Sequence, residues 1–332
     1  MKELILRWSK HAGLVAFPAV YLVCLVMFSA WTFPYRLMRD RIVATFNAQQ
    51  RASGGQYECQ IDDISGYWLS GVRLKGVRLT SAPAEPGKPM RSLEFDEIRI
   101  RYGLLPAFVG SREISFDVFG MGGEASGTYE VRGKDVSVDV AVDALNIGQF
   151  SPLVDFIGVP LKGRLTGTIH LILPDGVTSK GAGAVALTGK DVSVGDGKAK
   201  LKGAPLALPP MEVGTVNVAA EAKGGVLKVT KIVAGGKDLE LQGDGRLLLR
   251  DSLLESSCDL QIRFKVNDGF RSKNDITTSL FGAPGSNIPP LLELGDPRIK
   301  QAKRADGFYA WTMHGPLGRA EFSPAASAGA KL

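Results

Sequence analysis

Residues 66–81, GYWLSGVRLKGVRLTS, nearly repeat themselves: Gly-Val-Arg-Leu stands at 71–74 and again at 76–79. Side chains of an extended strand alternate between faces, so Val72 and Leu74 share one face while Val77 and Leu79 have the opposite parity. The apolar face is interrupted at Lys75-Gly76, which predicts a bulge or bend there. The switch recurs in LEFDEIRIRY (93–102), where Leu93 and Phe95 give way to Ile98, Ile100 and Tyr102. Neither stretch holds a nucleophile, a metal ligand or a phosphate loop. They read as pieces of a sheet that bends.

The two-residue period dominates from residue 57 to about 266, most plainly in Val136, Val138, Val140 and Val142 and in Cys258, Leu260, Ile262, Phe264 and Val266. In LKGRLTGTIHLIL, Leu161, Leu165, Ile169, Leu171 and Leu173 share a face with Gly163 and Gly167, opposite Lys162, Arg164, Thr166, Thr168 and His170. Glycines on an apolar strand face favour sheet curvature or close approach of another backbone or a ligand. A parallel sheet would need a helix between successive strands. Only IGQFSPLVDFIG (147–158) reads as a helical interruption, so the strands are expected to be antiparallel. FRSKNDITTSLFGAPGSNIPPLLELGDP (270–297) mixes short helical signals with Pro/Gly breaks, and 308–314 reads as the last strand.

Ala12 to Phe33, AGLVAFPAVYLVCLVMFSAWTF, are 22 consecutive uncharged residues, enough for a helix across a hydrocarbon core of about 30 Å. The anchor residues expected in it include Ala12, Phe17, Leu22, Leu25, Phe28 and Phe33. A cleaved signal peptide would have a shorter apolar core and a small-x-small site, and Met27 and Phe28 spoil such a site near Ser29-Ala30. Trp31 and Tyr35 suit an interfacial belt. Lys2, Arg7 and Lys10 precede the span and Arg36, Arg39 and Arg41 follow it, so charge alone leaves its direction open. A short tail before it and a large β-rich body after it favour a cytoplasmic N-terminus and, in a bacterium with two membranes, a periplasmic body. Residues 1–52 hold seven of the 40 Lys/Arg and two of the 34 Asp/Glu. The remainder is nearly neutral, so the basic balance points to anionic lipid near the anchor and not to nucleic acid.

After the span, PYRLMRDRIVATFNAQQR places Tyr35, Met38, Ile42 and Phe46 on one helical face and Arg36, Asp40, Asn47 and Arg51 on the other. This helix is expected to cap the start of the sheet, or else to lie among headgroups. The chain thus divides into a cytoplasmic tail (1–11), a transmembrane helix (12–33), an amphipathic connecting helix (34–52), a periplasmic β-rich domain (53–322) and a flexible tail (323–332).

Of three cysteines, Cys24 lies in the span, while Cys59 and Cys258 fall on apolar strand faces and read as buried free thiols. His11, His170 and His314 are isolated, and Asp62-Asp63, as strand neighbours, are expected on opposite faces. Gly-x-Ser-x-Gly, Walker-type and His-Glu-x-x-His signatures are missing from the sequence. A non-enzymatic protein without cofactor, metal or nucleic-acid partner is expected.

The chain resembles the type II secretion system protein GspN family in its AsmA-like form. The resemblance rests on the single N-terminal span, on GYWLSGVRLKGVRL (66–79), IRYGLLPAFVGSREISFDVFGMGGEASG (100–127), LKGRLTGTIHL (161–171), GKDLELQGDGRLLL (236–249) and GPLGRAEFSP (315–324), and on their order. It implies an inner-membrane-anchored accessory component of the machinery that moves folded proteins across an outer membrane. The AsmA-like character implies a long, curved, groove- or taco-shaped antiparallel sheet with an apolar concave side that meets lipid. A mainly β fold with one transmembrane helix and a few short helices follows. Two functions remain open: an architectural part contacting other secretion-system components, and a protein that binds phospholipid acyl chains. In either, Leu161, Leu165, Ile169, Leu171 and Leu173 would line the apolar surface.

Overall fold

The computed structural model describes residues 17, 18, 20–22, 24, 25, 27, 28, 32–52, 57–68, 70–81, 91–104, 106, 110–151, 153, 154, 158–199, 207–250 and 255–325. They form a mainly β protein, with fourteen strands ordered in an open antiparallel sheet as they occur in the chain. The chain divides into two compact units, residues 1–104 and 105–332.

The first unit pairs β1 (Tyr57–Tyr67), β2 (Gly71–Ser81) and β3 (Arg91–Tyr102) beneath helix α1 (Tyr35–Ala52). The parity switch at Lys75-Gly76 is one point on a line that crosses all three strands. Buried side chains pass from Cys59 to Ile64 in β1 and from Leu74 to Val77 in β2, and Leu93 and Phe95 pass to Ile98 in β3. Register nevertheless runs unbroken past the switch, with Ile61 facing Val77, Asp63 facing Lys75, and Val77 facing Phe95. Each strand puts two successive residues on its polar face: Asp62-Asp63, Lys75-Gly76 and Asp96-Glu97. The shared fault keeps one apolar face continuous through a change of parity. Asp62 and Asp63, expected on opposite faces, therefore share one. Asp62 is tied to Arg78, whose Nη2 donates to both carboxylate oxygens at 2.8 Å. The fault also divides the polar face unevenly in charge, with Arg73, Lys75, Arg99 and Arg101 against Asp63 and Glu97 on the side nearer the β1–β2 turn, and Glu58, Asp62, Glu94 and Asp96 against Arg78 beyond it.

Tyr35, Met38 and Phe46 of α1 pack against this apolar face. The buried stripe turns away from Ile42, which is exposed, and towards Asn47, expected on the far side. The cause lies in the backbone of β1, the first strand of the sheet. The Cys59 N–H donates to Asn47 Oδ1 at 2.8 Å, and Asn47 Nδ2 donates to the Cys59 carbonyl at 3.3 Å. The Asn47 amide thus satisfies strand-edge groups that would otherwise need water or another strand.

The second unit is a meander of β4 (Ser111–Gly120), β5 (Gly123–Arg132), β6 (Asp135–Asn146), β7 (Leu161–Leu173), β8 (Ala182–Val194), β9 (Met211–Lys223), β10 (Val226–Gly235), β11 (Leu239–Leu248), β12 (Ser257–Val266), β13 (Tyr309–Pro316) and β14 (Glu321–Pro324). β14 pairs Phe322 with Met313 and Trp311 with Pro324, so it was missed at the sequence level and enters the expected tail by two residues. Ala325 is its last described neighbour. The 147–158 interruption contains a 3-10 turn, Ile147–Gln149, and helical positions at 151, 153 and 154.

Between β12 and β13 lie four short helices, α2 (Asp268–Arg271), α3 (Asp275–Phe281), α4 (Leu291–Gly295) and α5 (Pro297–Ala302). Asn274 starts α3 with a reciprocal cap to Thr277, and Asp296 starts α5 by accepting from the Arg298 N–H at 2.9 Å. Helices α2–α4 present Phe270, Leu280, Phe281 and Leu292 to Leu161, Val192, Met211, Val213, Leu239 and Val266 of the sheet. A second core joins Ala220, Val229, Leu247, Cys258, Leu260 and Met313. Cys59 and Cys258 are both buried and free, and burial pushes both thiols up.

Gly76 is held at φ +60°, and a Cβ there would stand 2.1 Å from Asp62 Oδ2. Gly76→Ala should lower the unfolding free energy, read from the shifted denaturant midpoint, by at least the roughly 1–2 kcal/mol of a left-handed non-glycine residue. Gly235→Ala, where a Cβ meets nothing within 4 Å, is the control. Equal unfolding of both variants would show that the fault does not need glycine.

Candidate functional site: an uncovered apolar face

The apolar face of the second unit can be traced across the strands by register. Ile114 faces Tyr129, which faces Val138, which faces Leu171; one step along, Phe116 faces Gly127, which faces Val140, which faces Ile169. Val136 faces Leu173, and Ile169 continues to Val185 in β8. Every one of these apolar side chains is half-buried or exposed. Among the described residues only Val185, at the border, joins a core cluster. Polar residues such as Ser126, Thr128, Asp139 and Thr168 occupy the other parity.

Among the described residues, coverage stops part way along β7. Leu161 is buried under the helical segment and Leu165 packs at its margin, whereas Ile169, Leu171 and Leu173 lie beyond it. The five residues read from the sequence as one surface thus divide between a closed core and an open face. The open part measures about 13 Å along β6, from Val136 to Val140, and about 20 Å across β4–β8, at ~3.3 Å per residue and ~4.8 Å per strand. That approaches the size at which an exposed apolar patch on a monomer has functional meaning.

The glycines on this face are accounted for by protein. A Cβ on Gly167 would stand 2.1 Å from the Ala186 carbonyl oxygen, and one on Gly163 would stand 3.0 Å from the Lys190 oxygen and 3.1 Å from Ile147 Cδ1. A Cβ on Gly127 would meet Phe116 Cζ at 2.7 Å, so that ring lies over the glycine. These gaps admit neighbouring strands and side chains and leave the surface shallow.

The polar face offers less chemistry. His170 Nδ1 pairs with Asp139 Oδ1, and the Ser137 hydroxyl donates to Asp139 Oδ2 at 3.2 Å. The carboxylate stands between hydroxyl and imidazole, whereas nucleophile activation needs the imidazole in the middle. Among the described residues no group of His, Cys, Asp and Glu is arranged to hold a metal ion.

Of the anchor residues, Ala12 lies outside the described residues. Phe17, Leu22, Leu25 and Phe28 occupy helical positions, Phe33 follows them, and all five are exposed. Among the described residues no helix is long and apolar enough to cross a membrane, and the stretch expected to span, 12–33, falls partly outside them.

The sequence reading missed the contribution of β4–β6. The alternation of Val136–Val142 identified a strand, but only register places Val138 and Val140 beside Leu171 and Ile169. Comparison with protein families, curated proteins and solved structures found no match to this chain.

Two substitutions separate open face from closed core. Val213, 2% exposed, should lose several kcal/mol as Asp, because its carboxylate would be buried without a partner. Ile169→Asp should keep its carboxylate hydrated and leave the melting temperature close to wild type. Equal losses in both would mean that the face is closed.

Proposed function

We propose that this chain is a non-enzymatic accessory component of a bacterial type II protein secretion system. Residues 12–33 hold it in the inner membrane, with residues 1–11 cytoplasmic and the β-rich body in the periplasm. The observation that carries the reading is the uncovered apolar half of β4–β8. An architectural component needs a surface on which an apolar segment of another secretion-system component can lie, and this face offers one on a rigid sheet. The GspN-like order of sequence stretches supports the choice of machinery.

A second reading, AsmA-like binding of phospholipid acyl chains, is favoured by the chemistry of the same face. Ile169, Leu171 and Leu173 stand beside Val136, Val138 and Val140, with the Tyr129 phenol as the one polar group traced on this face, a surface that fits a hydrocarbon chain without selecting a headgroup.

A photo-crosslinking residue at Leu171 in the full chain, activated in intact cells, separates the two. Adducts to a secretion-system component are expected from the first reading and lipid adducts, identified by mass spectrometry, from the second. Lack of both adducts would overturn both. Reporter fusions after Ala330 should be active only in periplasmic form, and a fusion active only as a cytoplasmic reporter would reverse the topology.

A further inference from the structure

The turn between β1 and β2 carries Trp68, whose side chain is 75% exposed and whose backbone sits at φ 52°. A large aromatic residue in the left-handed region is a backbone outlier, and here its indole makes poor use of its apolar area. The exposed indole is the feature that calls for a surrounding less polar than water.

Two arginines converge beside this turn. Arg73 and Arg99 face each other across β2 and β3, and their guanidinium groups lie 5.2 and 5.5 Å from the centroid of the Tyr67 ring. Like charges directly opposite in a sheet repel. Glu97 stands between them, with its carboxylate 2.5 Å from Arg99 Nε and 3.2 Å from Arg73 Nε. Arg99 takes the hydrogen bond, and Arg73 Nε is left buried without an aligned acceptor. One carboxylate thus serves two cations, and Arg101 is exposed on the same strand face. The group carries excess positive charge at the end of the unit where the indole projects.

That end is fixed relative to α1. Tyr35, two residues beyond Phe33, packs at Gly66, where a Cβ would meet its hydroxyl oxygen at 2.5 Å, while Asn47, further along the helix, meets Cys59. The turn therefore stands beside the start of α1, next to the segment assigned above to the membrane.

We infer that the β1–β2 turn docks on the surface of an anionic phospholipid bilayer, with Trp68 in the headgroup region and Arg73, Arg99 and Arg101 against lipid phosphates. The inference rests on the membrane-anchored reading. Indole rings collect at the water–hydrocarbon boundary, and guanidinium groups bind phosphate through paired donors. The contact would be a second attachment that fixes the tilt of the first unit on the membrane.

The test uses the full chain in lipid nanodiscs containing brominated phosphatidylglycerol or brominated phosphatidylcholine, with Trp68→Phe subtracted to isolate the Trp68 emission. Trp68 should be quenched, more strongly by the brominated anionic lipid. Arg101→Gln, at an exposed position that leaves folding intact, should lower that preference about fivefold, the factor for one cation near an anionic surface. Arg73→Gln should do the same, and Arg73→Lys should restore only part of the preference, because an ammonium keeps the charge without the paired donors. Carbonate extraction of cell membranes separates this from the anchor. A chain retained in the membrane whose Trp68 is not quenched overturns the docking and leaves the anchor standing. A chain that is extracted, yet shows Trp68 quenching on added vesicles of brominated phosphatidylglycerol, supports the docking and removes the anchor. Equal quenching by both lipids, unchanged by the arginine variants, overturns the role given to phosphate.

Discussion

An antiparallel sheet with one apolar face must cover that face or leave it to another molecule, and the described residues hold limited material for covering. In the first unit one helix suffices, because the shared fault at Asp62, Gly76 and Asp96 keeps the apolar residues of three strands beneath α1. In the second unit the short helices α2–α5 reach Leu161, Val192, Met211, Val213, Leu239 and Val266 but stop before Ile169. The uncovered half is what remains when the helical segment ends. Its Val, Ile and Leu residues are no less apolar than those under the helices, so its composition alone does not mark it as a site.

The strands were legible because alternation is a local property. Lys75-Gly76 and Asp96-Glu97 could be read as parity switches since apolar residues flank both closely. In β1 the same switch was hidden by Asp62-Asp63, two charged residues that look like ordinary strand neighbours. β14 has four residues, too few for a periodic signal, and only its pairing with β13 reveals it. The site was legible in part. The β7 face could be listed from its spacing, but the boundary between Leu165 and Ile169 depends on where residues 268–302 pack, and no local pattern carries that information. Asn47 shows the same limit, since its polarity suggested solvent while the bare backbone of Cys59 drew it to the sheet.

Neighbour-only pairing also orders assembly in time. Each strand from β4 to β12 finds its next partner within a short length of chain, and only β13 must wait for the helical segment, so loop closure costs little at most steps and hairpins can form as the chain is made. β4 to β8 can reach their final pairing before β12 exists. The closed core cannot, since Leu161, Val192, Met211 and Val213 wait for Phe270, Leu280, Phe281 and Leu292, which come some sixty to one hundred and thirty residues later. The covered half of the face is therefore the late-maturing part, exposed to off-pathway association until the helical segment arrives. The open half needs no such completion, and the surface it presents during synthesis is the one it keeps.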